Sequence, residues 1–219
     1  MIEPSRQAQL NGVAEVCEFI QAWFGWQPDT SSELDAAVPV PSAVRQLHHH
    51  LGHLWTSDSH SAFFDIQDSL IPPRDYEPMD NGIVPAIWEN QGVWGCGFDP
   101  TDPEVLWVND SADSKVLWGK ADLPDEHAHA YEWRPVPGAD LSLPMIYVLL
   151  GNTVWSSSDV EMDEKPLPDW ATVQLWNHGP WQGFQGFWID ANRTKLRMQG
   201  DNWGVTAHPP AITGASDTE

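Results

Sequence analysis

Two short apolar runs, 82–88 and 92–98, meet across the polar corner Glu89-Asn90-Gln91, and no other stretch restricts the possible folds as tightly. Each run is too short for a stable amphipathic helix, and both are bounded by residues that favour turns. The pattern predicts a β-hairpin. Asn and Gly tolerate the left-handed backbone of a tight turn, so Asn90 and Gly92 suit the bend. Gln91 adds two donors and an acceptor that can tie neighbouring loops or meet the backbone of another molecule.

Around the hairpin the periodicity changes. Val13, Val16, Cys17, Ile20, Trp23 and Phe24 recur at helical spacing, with Asn11 as the expected N-cap and Gly25 as the stop. A second helix is expected from Pro41 to about Leu54, with Val44, Leu47, Leu51 and Leu54 along one stripe. A third is expected over Leu141–Val154, with Leu143, Ile146, Leu149 and Leu150 inward. Further strands are expected at Val105–Val108, Lys115–Trp118, Thr172–Trp176, Gly186–Asp190, Lys195–Gln199 and within Asn202–Thr206. The stretch after Phe63-Phe64 reads as irregular, 122–140 as a long surface loop, and Asp159–Pro168 as a charged loop. Helices first and strands after imply an α+β fold, with a mostly antiparallel twisted sheet and one further helix packed on it. The expected organisation is one domain over 1–207 and a frayed tail over 208–219.

Composition narrows the function. Ten Lys and Arg stand against 32 Asp and Glu, a formal net charge of −22. Such a surface repels nucleic acid and anionic membranes, and attracts a basic protein. An acidic surface also serves plain solubility, which is the commoner reason for one. The N-terminus shows no basic start followed by an apolar run, and the longest apolar run, Leu143–Leu150, is too short to span a bilayer. The expectation is a cytoplasmic protein, with Cys17 and Cys96 as buried thiols rather than a disulfide. With 14 Trp, the rings that alternate within strands (Trp88, Trp94, Trp107, Trp118, Trp188) are expected to build core.

Motifs for catalysis and metal binding are weak. His49 and His53 stand one helical turn apart within His48-His49-His50 and His53, but no third ligand sits at helical spacing. A polar face of exposed imidazoles is the simpler reading, and His127 and His129 fall in the expected acidic loop. Asp190-Ala191-Asn192-Arg193-Thr194 begins like a calcium loop, but Lys195 replaces the required glycine. It reads better as a hairpin turn. Gly95 and Gly97 lack the third glycine and the helix of a dinucleotide site, and no nucleophile elbow, zinc-protease motif or phosphate loop is present. Asp99, Asp102 and Glu104 form a carboxylate cluster that leaves glycosidase-like chemistry, with Trp platforms for sugar, as a remote alternative. No cofactor is expected.

The hairpin Glu89-Asn90-Gln91-Gly92-Val93-Trp94, followed by Asp102-Pro103-Glu104-Val105, resembles the signature of the SUKH superfamily. In that family a Glu-Asn-Gln-Gly-Val hairpin precedes an Asp-Pro-Pro-Val strand. Pro41–Leu54 resembles the family's opening helix and Leu141–Leu150 its closing one. Glu104 stands where the second proline is common, and Pro144 where the helix is usually regular. The resemblance implies a non-enzymatic protein-binding module with no catalytic centre. Bacterial members are largely immunity proteins that neutralise toxins, often nucleases, and a fungal branch regulates cell-wall synthesis through protein contacts; the acidity of this chain fits an inhibitor of a basic nuclease. It places the expected partner contacts at Asp65, Asp68, Glu89, Gln91, Asp99, Asp102 and Glu104, near the signature and the loop before it. The sequence leaves the oligomeric state open.

Overall fold

The computed structural model describes residues 10–28, 33–56, 61–110, 132–179 and 183–210. The expected strand at Lys115–Trp118, His127 and His129, and the tail beyond Pro210 lie outside them. The fold is α+β, as the order of elements implies, but the strands divide into two antiparallel sheets of five. The first is a meander in chain order: β1 (Asp68–Leu70), β2 (Val84–Glu89), β3 (Trp94–Asp99), β4 (Asp102–Asp110) and β5 (Arg134–Pro135). The second contains β6 (Ser158–Asp163), β7 (Val173–Trp176), β8 (Phe184–Ile189), β9 (Leu196–Gly200) and β10 (Gly204–His208). Its spatial order is β6-β10-β9-β8-β7, so β10 inserts between β6 and β9.

Helix α1 (Val13–Phe24) buries the face formed by Val13, Val16, Cys17, Ile20 and Trp23. Gly25 caps it in the left-handed conformation at φ 68°, as expected. The N-cap, however, is Gly12, not Asn11; the Asn11 backbone N–H instead donates to the Glu15 carboxylate at 2.7 Å. Helix α2 (Ser42–Leu51) passes into a 3₁₀ turn at Gly52–Thr56, which carries Leu54 inward as a short continuation. Glu104, from β4, caps the start of α2: its carboxylate accepts from the Ser42 N–H at 2.9 Å and the Ser42 hydroxyl at 2.7 Å, and pairs with Arg45 at 3.2 Å.

Helix α3 (Ser142–Trp155) is buried continuously from Pro144 to Val154. A helix apolar on all sides must have neighbours on all sides. Tyr147 shows how: its ring lies 6.4 Å from Trp94 of the first sheet and 6.1 Å from Phe187 of the second. The helix thus runs between the sheets and gives both a common core. Pro144 falls in the first turn, where a missing N–H breaks no intrahelical bond.

Two irregular stretches contain strands. The segment after Phe63-Phe64 supplies β1, and the charged segment from Asp159 supplies β6. β6 is an edge strand, and Asp159 and Glu161 are exposed along an edge that would otherwise invite pairing. Within the expected loop at 122–140, the described part holds β5 and buries Val136 and Ala139. The tryptophans divide as well. Trp94 is core, together with Trp23 and Trp176, whereas Trp88, Trp107 and Trp188 are half-buried. In the strand register Trp88 pairs with Gly95, and Trp107 pairs with Gly97. The missing side chain at Gly95 lets the Trp88 ring lie against the backbone, as a Cβ there would sit 2.5 Å from it, whereas at Gly97 a Cβ would meet the Val84 carbonyl and the Trp133 ring.

Candidate partner-binding site

The hairpin corner is braced by its own carboxylate. Glu89 accepts from the N–H groups of Gln91 at 2.9 Å and Val93 at 3.0 Å, while its carbonyl accepts from Gly92 N–H at 2.9 Å. Gly92 alone takes the left-handed conformation, at φ 70°; Asn90 does not, so the turn needs only one such residue. The side-chain amides of Asn90 and Gln91 make no hydrogen bonds among the described residues, and both are exposed.

Pairing of β1 with β2 sets Asp68 opposite Glu89 and Leu70 opposite Ile87. Since side chains alternate in a strand, all four share one face, the face that carries the core. Asp68 is only 5% exposed. Burial pushes its carboxyl up to about 7, the Asn90 N–H at 3.4 Å pulls in the opposite direction, and the Glu89 charge adds to the rise. The backbone of Asp68 is held independently. Asn152, fully buried in α3, accepts from the N–H groups of Gln67 and Asp68 and donates to the carbonyls of Phe63 and Asp68 at 2.9 and 3.0 Å.

Beyond Asp68 lies a cleft of about 350 Å³ between β1, α3 and the second sheet. Tyr147, Trp155 and Trp203 supply its rings, and Met198 and Met162 its thioethers. Burial raises the Tyr147 hydroxyl well above its ordinary value, and the charges of Asp68 and Glu89 raise it further. A larger cleft of about 610 Å³, between α1 and β7–β8, has Asp190 on its wall. That carboxylate is occupied by its own hairpin turn, accepting from Thr194 N–H at 2.6 Å, Thr194 Oγ1 at 2.9 Å and Lys195 N–H at 2.8 Å. Burial alone would raise Asp190, but these bonds hold it below the ordinary range. Glu15, Glu18 and Arg193 also line the larger cleft, so it carries charges of both signs, whereas Asp68 is the one charged residue lining the smaller cleft.

No protein-family model, curated protein or solved structure matches this chain.

The seven expected contact residues fall into two groups. Asp65, Asp68, Glu89 and Gln91 gather at the hairpin corner, where the Ser69 hydroxyl donates to Asp65. Asp99, Asp102 and Glu104 lie at the far end of β3 and β4, about 17 Å away at the rise of an extended strand. Asp99 and Asp102 are register partners across the tight turn. Asp99 accepts from the Thr101 N–H and hydroxyl, both at 2.8 Å, and these bonds hold its carboxyl below the ordinary range. Glu104 is engaged by α2, as described above. Of the remaining signature residues, Pro103 and Val105 are half-buried on β4.

The histidines form no metal cluster among the described residues. They are not uniformly exposed either. His48 is buried, stacks on Trp55 at 6.3 Å, and is shifted down by burial and by His49, which itself is exposed. Cys17 and Cys96 are buried free thiols, and burial raises Cys17 far above its ordinary value.

Sequence reading did not single out Tyr147, Asn152 or Arg197. Arg197 is 1% exposed in β9 and has every nitrogen engaged: Nε donates to Gln199, Nη1 to Asp163 and Thr206, and Nη2 to Asp163 and the Lys165 carbonyl. With no donor left over, this network ties the sheet to the 164–168 segment and has nothing to offer a ligand.

Proposed function

We propose that this protein is a non-enzymatic protein-binding module of SUKH type that acts as an immunity protein, neutralising a basic toxin domain such as a nuclease by occupying its phosphate-binding surface. The observation that carries the reading is the hairpin corner. Glu89 stands there beside the unengaged amides of Asn90 and Gln91, with Asp65 held by Ser69 on the adjoining strand, on a chain of net charge −22. Carboxylates on a rigid corner imitate phosphates, and the surrounding charge accelerates encounter with a cationic partner. The corner is rigid because Glu89 braces the turn and Asn152 anchors the adjoining strand. Intracellular action follows from the same reading, and among the described residues no helix is long and apolar enough to cross a membrane.

The test is co-expression with basic toxin domains encoded beside its gene, scored by cell survival and by inhibition of the purified toxin at low and high salt. Protection by the wild-type chain, lost in the double variant D65K/E89K and retained in D102K, supports the reading. Binding only to non-toxic partners transfers it to a regulatory scaffold. Equal protection by all three chains removes the corner from the interface.

A further inference from the structure

We propose that the cleft between β1, α3 and the second sheet is a receptacle for a single basic side chain of the protein partner, an arginine or a lysine. Asp68 supplies the counter-charge, and the rings of Tyr147, Trp155 and Trp203 supply the walls. The inference rests on the partner reading above and gives it an anchor.

Three observations point the same way. First, the carboxyl of Asp68 serves the fold poorly. The neighbouring backbone is held by Asn152, and the carboxylate receives only a long 3.4 Å bond from Asn90 N–H; no other donor among the described residues reaches it. Leu, Asn or Ser at this position would avoid the desolvation of a charge, so its presence at a core-facing position marks a task outside the fold. Second, the cleft is built for an apolar stem with a cationic head. Aromatic faces attract cations, Arg guanidinium most readily, and thioethers adapt to an alkyl chain. Met162, at the rim, is 65% exposed. Third, the size suits one side chain. About 350 Å³ lies at the small end of ligand sites and is too little for an oligosaccharide. A neutral apolar occupant would strand the carboxyl further from water, whereas a cation satisfies it.

Titration with n-butylguanidinium and n-butylammonium, followed by tryptophan fluorescence and calorimetry, tests the proposal against n-butylurea as the neutral analogue. The expected result is saturable millimolar binding of the cations, at least tenfold weaker in Asp68→Asn and several-fold weaker in Trp203→Leu, with no saturation by butylurea. Because a bound cation favours the ionised carboxylate, binding near neutral pH releases protons, seen as a buffer-dependent heat that Asp68→Asn abolishes. Equal binding of butylurea, or unchanged binding to Asp68→Asn, overturns the proposal. If the cleft takes the cations while the whole protein binds no basic toxin domain, the receptacle stands and the immunity reading falls. If a toxin domain binds Asp68→Asn as tightly as wild type, the receptacle falls and the immunity reading stands.

Discussion

Replacing Asp68 by Asn should stabilise the protein, and by an amount that depends on pH in a defined direction. In the fold the Asp68 carboxyl titrates at about 7, against 3.8 for an ordinary aspartate, because it is buried beside Glu89. The folded state therefore holds a proton that the unfolded state has already lost throughout the interval between those values. Below about pH 4 both states are protonated and Asp68 costs nothing; as pH rises the cost grows, and above about pH 7 it is complete. That elevation corresponds to about 4 kcal/mol, an upper bound that relaxation around the carboxylate reduces. Asn keeps the shape and can still accept from the Asn90 N–H, so the substitution removes the charge with little else. Urea unfolding of both chains at several pH values between about 4 and 8.5 reads the difference directly from the midpoints, provided the slopes agree. Self-repulsion of the other acids acts on both chains and cancels in the comparison. A gain that grows from near zero in acid to several kcal/mol in mild base is expected. A gain independent of pH, or a loss at every pH, would refute the argument that this carboxyl is buried without adequate compensation.

Other perturbations test the scaffold. Asn152→Leu strands the Phe63 carbonyl and the Asp68 N–H and carbonyl inside the core and should cost about 3 kcal/mol in denaturant unfolding. Asn152→Asp, which turns an acceptor toward two carbonyls, should be no better at neutral pH. Arg197→Met should cost about 3 kcal/mol at neutral pH by removing the bonds that Asp163, the Thr206 hydroxyl and the Gln199 Oε1 receive from it. The bonds from Arg197, opposed by partial desolvation and aided by the Lys165 N–H, hold Asp163 down at about 2. That stabilisation is present above about pH 4 and disappears as pH falls toward 2 in wild type, so the acid limb of stability should flatten in the variant. Gly97→Ala would place a Cβ 2.3 Å from the Val84 carbonyl oxygen and should cost about 2 kcal/mol by forcing β2 and β3 apart, measurable as a lower melting temperature.

What could be read from the sequence was what local chemistry determines. The hairpin at Glu89–Gly92 and helix α3 declared themselves through short apolar runs and turn residues, and their boundaries moved by only a residue or two. β6 was hidden because Asp159 and Glu161 are the residues that protect an exposed edge, Asp163 is held by Arg197 from a strand that comes later, and acids in a run resemble a loop. Division into two sheets was also hidden, because alternation reports which residues face inward but not which strand lies alongside. The site shows the same limit. Asp68 was visible only as one acid among many, and its distinction comes from Glu89, 21 positions later, and Asn152, 84 positions later. One signal was present: Asn152 interrupts an otherwise apolar helical run, and a lone amide there implies buried backbone groups awaiting partners.

Insertion of β10 between β6 and β9 has a consequence for how the chain matures. Strands β7, β8 and β9 can pair in order as they are made, but β6, synthesised before them, has no neighbour until residues 204–208 arrive. The Arg197 clamp depends on the same step, since Thr206 belongs to β10 and Asp163 to β6. Until then Arg197 lacks Thr206, and Asp163 lies on a strand with no neighbour. The second sheet therefore closes only when the last strand has been made, and in a fragment ending before β10 the β6 strand, which carries Met162 of the cleft, would have no neighbour.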